Sequence, residues 1–249
     1  MLSTIYIMWL RQIKRYWRSK SRIIGSIGQP LLFLVAMGFG LGPVFEQAGR
    51  GNYINFLAPG VMSQAVLFMG IFNGVELIWD KQFGFLKETL VAPVSRLEIV
   101  LGRVLGGATI ATIQGVIVLL LTLFLGFRPR SITLLPVGLG IMFLVALFYT
   151  GLGTAIASLM KDFHGFQLIM NFLVMPTYFL SGAIFPLESA PQLLRSISKV
   201  NPLTYGVDGL REVLTGASHL GIMQDVLILS ILSLIVLSIS SYLFSKIEA

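Results

Sequence analysis

Residues 104–127 read VLGGATIATIQGVIVLLLTLFLGF, 24 positions without one Asp, Glu, Lys or Arg. Coiled into a helix rising 1.5 Å per residue, such a run is about 36 Å long, more than the roughly 30 Å hydrocarbon layer of a bilayer. Five further stretches share its lack of charge: Ile23–Phe45, Gly51–Val75, Ser131–Met160, Phe163–Leu187 and Val226–Ser245. Backbone groups in hydrocarbon must be paired internally, so runs of this length are read as helices. No strand-length alternation competes with that reading. The expectation is an all-α membrane protein forming a single domain over 1–249, with spans near 23–45, 53–76, 104–126, 134–159, 165–185 and 223–245.

Composition points the same way. The chain is 55% hydrophobic and 12% charged, with mean hydropathy +0.86, whereas soluble domains carry about 25% charged residues. There are no cysteines, which excludes disulfides, thiolate metal sites and a cysteine nucleophile. His164 and His219 lie far apart and have no second ligand nearby in sequence. The net charge of +7 sits at the ends of the apolar runs, where anionic lipid headgroups, rather than nucleic acid, attract it. Six basic residues between Arg11 and Arg22 precede an apolar run too long for a signal peptide.

Lys and Arg set the orientation. With the N-terminus inside, twelve of them fall on the cytoplasmic side (Lys161 among them) and six, including Arg50, on the outer side. Both termini are therefore expected in the cytoplasm. Residues 1–22 read as an interfacial amphipathic helix. Leu2, Tyr6, Trp9, Ile13 and Tyr16 share one face, and Arg11, Lys14, Arg15, Arg18 and Arg22 form a basic stripe, with Trp9 and Trp17 at headgroup depth.

Two connections are too patterned for simple loops. In 79–100, charged Asp80, Lys81, Lys87, Glu88 and Arg96 alternate with Phe83, Leu86 and Leu90, and Pro93 breaks the segment. Ser95 and Glu98 then have capping-box spacing, which starts a helix near Arg96. In 186–216, Pro191 opens one short helix, and Asn201–Pro202 reads as the N-cap and first position of another that stops at Gly216. Neither is long enough to span. The segment is expected to form short re-entrant helices in the outer leaflet between spans five and six.

The sequence has no Gly-Lys pair, hence no phosphate-binding P-loop, and no G-x-S-x-G or H-E-x-x-H motif. No metal site is expected, and no catalytic residue. The span interiors hold polar but uncharged groups, namely Gln29, Gln64, Asn73, Gln114, Asn171 and Tyr178. They form a candidate path for an amphipathic solute, or they bond between helices. Glu76 lies at the cytoplasmic end of the second run.

Three motifs resemble the permease subunit of ABC type-2 exporters. They are Tyr53-Ile54-Asn55-Phe56-Leu57-Ala58-Pro59-Gly60 at the start of the second span, Phe83 through Arg96 in the inner segment, and Ser181-Gly182-Ala183-Ile184-Phe185-Pro186-Leu187 followed by Asn201-Pro202-Leu203-Thr204-Tyr205 and Arg211. The resemblance covers essentially the whole chain. The inner segment is similar to the daunorubicin-exporter branch, and polysaccharide exporter permeases are of similar size. The resemblance implies a transport subunit rather than an enzyme. A second permease copy pairs with it, and two ABC nucleotide-binding subunits hold ATP and Mg; this chain binds no cofactor. It further implies a prokaryotic-type cell membrane, docking of the ATPase on Asp80 through Arg96, and an outer hairpin carrying Pro186, Asn201, Pro202, Tyr205 and Arg211. A drug-like or lipidic substrate leads, with a lipid-linked glycan as the alternative. An ion-coupled transporter or channel is a further alternative, but it calls for ionic sites near the midplane, and Glu76 sits only at an edge.

Overall fold

The computed structural model describes residues 2–48, 51–91, 93–160 and 162–247, the side chain of Glu188 excepted. Arg50 and Lys161 of the charge count, and Ala92 of the inner motif, lie outside the described residues. Among the described residues ten α-helices follow in order: α1 (Leu2–Arg18), α2 (Lys20–Gln47), α3 (Tyr53–Gln82), α4 (Phe85–Val91), α5 (Arg96–Phe124), α6 (Leu135–Leu159), α7 (Phe163–Phe179), α8 (Gln192–Val200), α9 (Pro202–Thr215) and α10 (Ile222–Ser245), with one 3₁₀ turn at Leu187–Ser189. Among the described residues there are no strands.

Five of the helices, α2, α3, α5, α6 and α10, are long and apolar enough to cross a membrane. At 17 residues α7 is shorter, about 26 Å at helical rise. It stops at Phe179, before the end of its apolar run, and the chain turns through Gly182, whose φ of 77° suits a residue without a Cβ.

Local chemistry sets several boundaries. The Ser95 hydroxyl accepts from the Glu98 amide at 3.2 Å and starts α5. Asn201 caps α9 with Pro202 at the first position, and Gly216 ends it in the left-handed region at φ 79°. Asn52 caps α3 and Asp162 caps α7 by the same use of a side-chain oxygen. Pro30 and Pro43 lie inside α2, and Pro59 inside α3, as membrane helices tolerate.

The core is α3, whose residues from Leu57 to Leu67 are all buried. It packs on α6 without side chains between them: a Cβ on Gly74 would overlap the Gly153 carbonyl, and one on Gly153 would overlap the Ile71 backbone. Small residues allow such close approach. On the far side of the bundle α2 turns Leu32, Phe39 and Val44 outward.

The first helix packs along one face of the bundle. It runs beside the first half of α5, with Met8 over Gly102 and Gln12 over Gly106. The Trp9 indole donates to the Thr109 hydroxyl at 3.0 Å, and the Tyr16 hydroxyl meets Gln114 Oε1 at 3.4 Å. The reason is the pair of glycines, which opens a groove deep enough for Met8, Gln12 and Tyr16 to be buried. Trp17, Lys14 and Arg18 stay exposed.

Candidate functional site

At the end of the bundle where α3 stops and α5 begins, two carboxylates one helical turn apart on α3 gather charge from three other helices. Asp80 is 2% exposed. It lies 2.6 Å from the Arg103 guanidinium of α5, and 3.2 and 3.6 Å from those of Arg15 and Arg11 on α1. Glu76, equally buried, pairs with Arg22 at the start of α2, and Arg15 lies 3.8 Å from its other oxygen. Arg22 also donates to Asn73 Oδ1 at 3.1 Å, while the Asn73 amide donates to the carbonyls of Met69 and Gly107. Four guanidinia thus surround two carboxylates. Buried charge is tolerated only when paired in this way.

This cluster revises part of the inner segment. Asp80 was expected on an exposed docking surface; it is instead buried, because α3 continues to Gln82 and turns the Glu76–Asp80 face toward α1 and α5. Lys81 donates to the carbonyls of Ala157, Ser158 and Met160 at 2.8, 2.8 and 3.2 Å, so it caps the end of α6. Arg96 donates to the carbonyls of Ser245 and Ile247 at the end of α10. Cations at helix C-termini oppose the exposed carbonyl dipoles. Leu86 is 3% exposed and Leu90 half-buried, whereas Phe83 at 72% and Phe85 at 52% project outward beside exposed Lys87, Glu88 and Pro93. The outward apolar groups are therefore Phe83, at the end of α3, and Phe85 and Val91 of α4, away from Leu86.

Above the cluster lies a cavity of about 390 Å³ between α2, α3, α5 and the start of α7. Arg22 and Glu76 line it, Gln29, Gln64 and Gln114 supply amides, and Phe68, Phe72, Trp79 and Phe163 are among its apolar walls. Concave, mostly apolar sites with a few polar groups are the usual form of a small-molecule site. Three of the six polar residues picked out in the sequence meet here. Gln114 is committed to the Ser26 hydroxyl and carbonyl at 2.9 and 3.0 Å. Asn73 is held by the ionic cluster, Asn171 faces outward on α7, and Tyr178 is buried edge-on against Phe33.

The opposite end carries the hairpin. The Asn201 amide donates to the Thr177 carbonyl at 2.6 Å, tying α9 to α7, and the Tyr205 hydroxyl donates to the Lys199 carbonyl. Arg211 donates to the Gly182 carbonyl at 2.9 Å and stacks 4.2 Å from the Phe56 ring centroid. Pro186 leads into the 3₁₀ turn, and Pro202 starts α9. Asp208 accepts from the amides of His219 and Leu220 and from the Ser218 hydroxyl. On α8, Leu193 and Val200 are exposed.

Residues that sequence reasoning missed are Arg22, Arg103 and Glu76 as partners. The available signal was i, i+4 spacing, Glu76 with Asp80 and Arg11 with Arg15, which puts each pair on one helix face.

Residues 3–215 match the family profile described as ABC-2 type transporter. The transport permease ycf38 of Cyanophora paradoxa is 28% identical over 222 residues, 88% of this chain and 77% of its own. The ycf38 permease of Pyropia yezoensis is 31% identical over 218 residues, 85% and 74% of the two chains. Nodulation protein J of Rhizobium leguminosarum bv. trifolii is 26% identical over 223 residues, 89% and 82% of the two.

Proposed function

The chain belongs to the ABC-2 type transporter family, and from that premise we propose that it is the permease subunit of an ATP-driven exporter of a drug-like or other amphipathic substrate. Two copies pair in the cell membrane. Each engages one of two nucleotide-binding subunits, which hold ATP and Mg and carry out the hydrolysis. The membrane is crossed six times: by α2, α3, α5, α6 and α10, and by α7 together with the turn that follows it. The Asp80 end faces the cytoplasm with both termini, and α8 and α9 dip into the outer leaflet. Exposed Lys14 and Arg18 face anionic lipid headgroups.

One observation carries this reading. Phe83 and Phe85 project from a corner with three pinned residues around it: Asp80 by three arginines, Lys81 to the end of α6, Arg96 to the end of α10. An exposed aromatic pair on such a mount suits a partner that pushes. Force on it reaches α3, α5, α6 and α10 directly, and reaches α1 and α2 through the arginines. The cavity beside that cluster is the natural place for substrate to feel the movement.

The test is association. Phe85→Asp should abolish copurification with the ATP-binding subunit, or reduce it at least about tenfold, since a buried interfacial charge without a partner is costly. Unchanged copurification removes the docking assignment. Topology is checked with a cysteine at Ser196, which is exposed on α8 in a chain with no native cysteine. It should react with an impermeant maleimide added from outside, and reaction only from inside reverses the orientation.

A further inference from the structure

On α8 the usual arrangement of an amphipathic helix is reversed. Leu193, Ile197 and Val200 share one face by helical spacing, and all three are exposed. Arg195 and Lys199, one turn apart, fall with Ser198 on the opposite face, and these three line a cavity of about 540 Å³. The other walls come from α9, the turn after α7 and the segment before α10. A surface helix normally turns its apolar stripe to the protein and its charge to solvent. Here the charge is turned inward. Like charges at i, i+4 repel one another, so the pair is unfavourable until a negative group stands between them.

Arg211 of α9 lines the same cavity as a third cation; its side chain is 6% exposed. Among the described residues, Asp208 is the one carboxylate in the lining. Its oxygens accept from the His219 and Leu220 amides and the Ser218 hydroxyl at 3.0–3.3 Å, which turns its charge into the loop. Also among the described residues, Lys199 and Arg195 have no carboxylate within ion-pair distance. The Arg195 Nε donates to the Ala190 carbonyl at 2.8 Å, leaving its terminal nitrogens for a ligand. Three cations on two helices call for an acceptor that can be approached from several sides. A carboxylate offers two oxygens in one plane, whereas a phosphate offers a tetrahedral set and pairs well with both Arg and Lys. The cavity is larger than a lone phosphate, and Leu187 and Leu220 supply an apolar wall beside the cations, so the remainder of an ester fits there.

We propose that this cavity binds the phosphate group of an ester, held between Arg195 and Lys199 of α8 and Arg211 of α9. A phosphate in that position ties α8 to α9, adding to the bond from the Tyr205 hydroxyl to the Lys199 carbonyl. The site lies at the opposite end of the bundle from the cavity beside Arg22 and Glu76, and its chemistry is the same whichever way the chain faces the membrane. A lipid headgroup and a soluble phosphate ester both carry the required group.

The experiment uses the full chain in dodecyl maltoside, a detergent without phosphate, with Gln224→Cys carrying a bimane fluorophore. Gln224 is exposed and lines the cavity, and the chain has no native cysteine. Four probes are titrated: glycerol phosphate, dihexanoyl phosphatidylglycerol, glycerate and dihexanoylglycerol. The first two carry phosphate; the others replace it with a carboxylate or a hydroxyl. At least one phosphate ester should change the emission saturably and bind about tenfold more tightly than either probe without phosphate. Lys199→Gln, at an exposed position, should weaken that binding roughly 3- to 10-fold, and Lys199→Arg should retain it. A response to glycerol phosphate marks a soluble ester as sufficient, and a response to the lipid ester alone marks a membrane headgroup; either supports the site. Glycerate or dihexanoylglycerol binding as tightly as the esters overturns the proposal. So does ester binding that is indifferent to Lys199→Gln, or no saturable response to either ester.

Discussion

The two ends of the bundle use their buried carboxylates in opposite ways. At the Asp80 end, the carboxylates meet side chains: arginines from α1, α2 and α5 converge on two carboxylates of α3, from as far away in sequence as Arg11 is from Asp80. At the Asp208 end, charge meets backbone. Asp208 holds the amides that follow α9, and Arg211 holds the carbonyl of Gly182. The first arrangement couples helices to one another; the second fixes the shape of a loop.

The contrast breaks most visibly at Asp80. Asp80→Ala leaves Arg11, Arg15 and Arg103 around an empty site, and thermal or denaturant unfolding in detergent should register a loss of about 3–5 kcal/mol. Adding Arg103→Leu should restore part of it, since removing the other half of a buried pair relieves the uncompensated charge. No recovery in the double variant means that Asp80 is held by the two arginines of α1 alone. Asp208→Ala should cost less, about 1–3 kcal/mol, because it orphans amides of one loop. Its signature is local: faster proteolysis near His219 with the helices still protected from hydrogen exchange. Global unfolding on Asp208→Ala would erase the distinction between the two ends. Smallest is Phe85→Asp, expected within about 0.5 kcal/mol of the parent in stability, since the ring is already exposed, while association with the ATP-binding subunit is lost. A large stability change would mean that the ring packs within this chain rather than against a partner.

Much of the fold is legible in the chain because helical boundaries are local chemistry. Ser95 with Glu98, and Asn201–Pro202 with Gly216, mark starts and a stop that depend only on residues within a turn or two. The apolar runs are legible because lipid demands length. What helical periodicity omits is which helix a face will meet. Arg11 and Arg15 look like headgroup anchors until the groove over Gly102 and Gly106 brings α1 against α5 and its arginines within reach of Asp80. Leu86 and Phe85 are adjacent and both apolar, and nothing in their spacing tells that Leu86 turns inward and Phe85 outward. The early stop of α7 is likewise tertiary, since the Ser181–Gly182 turn is held by Arg211 from a helix 29 residues onward. For the cavity, the amide residues were recognisable as an intramembrane polar set, but their convergence depends on how α2, α3 and α5 cross.

The seam between Gly74 and Gly153 has a consequence for how this protein opens. Two helices whose backbones touch have no rotamers between them to rearrange, so the joint cannot ratchet; it behaves as a weld. With α3 and α6 in backbone contact, movement beside α3 is expected on its other flank, where α2 has most of its surface uncovered and the cavity lies next to the Arg22–Glu76 pair that ties it to α3. The hinge side and the door side of this molecule are thus decided by two missing methyl groups.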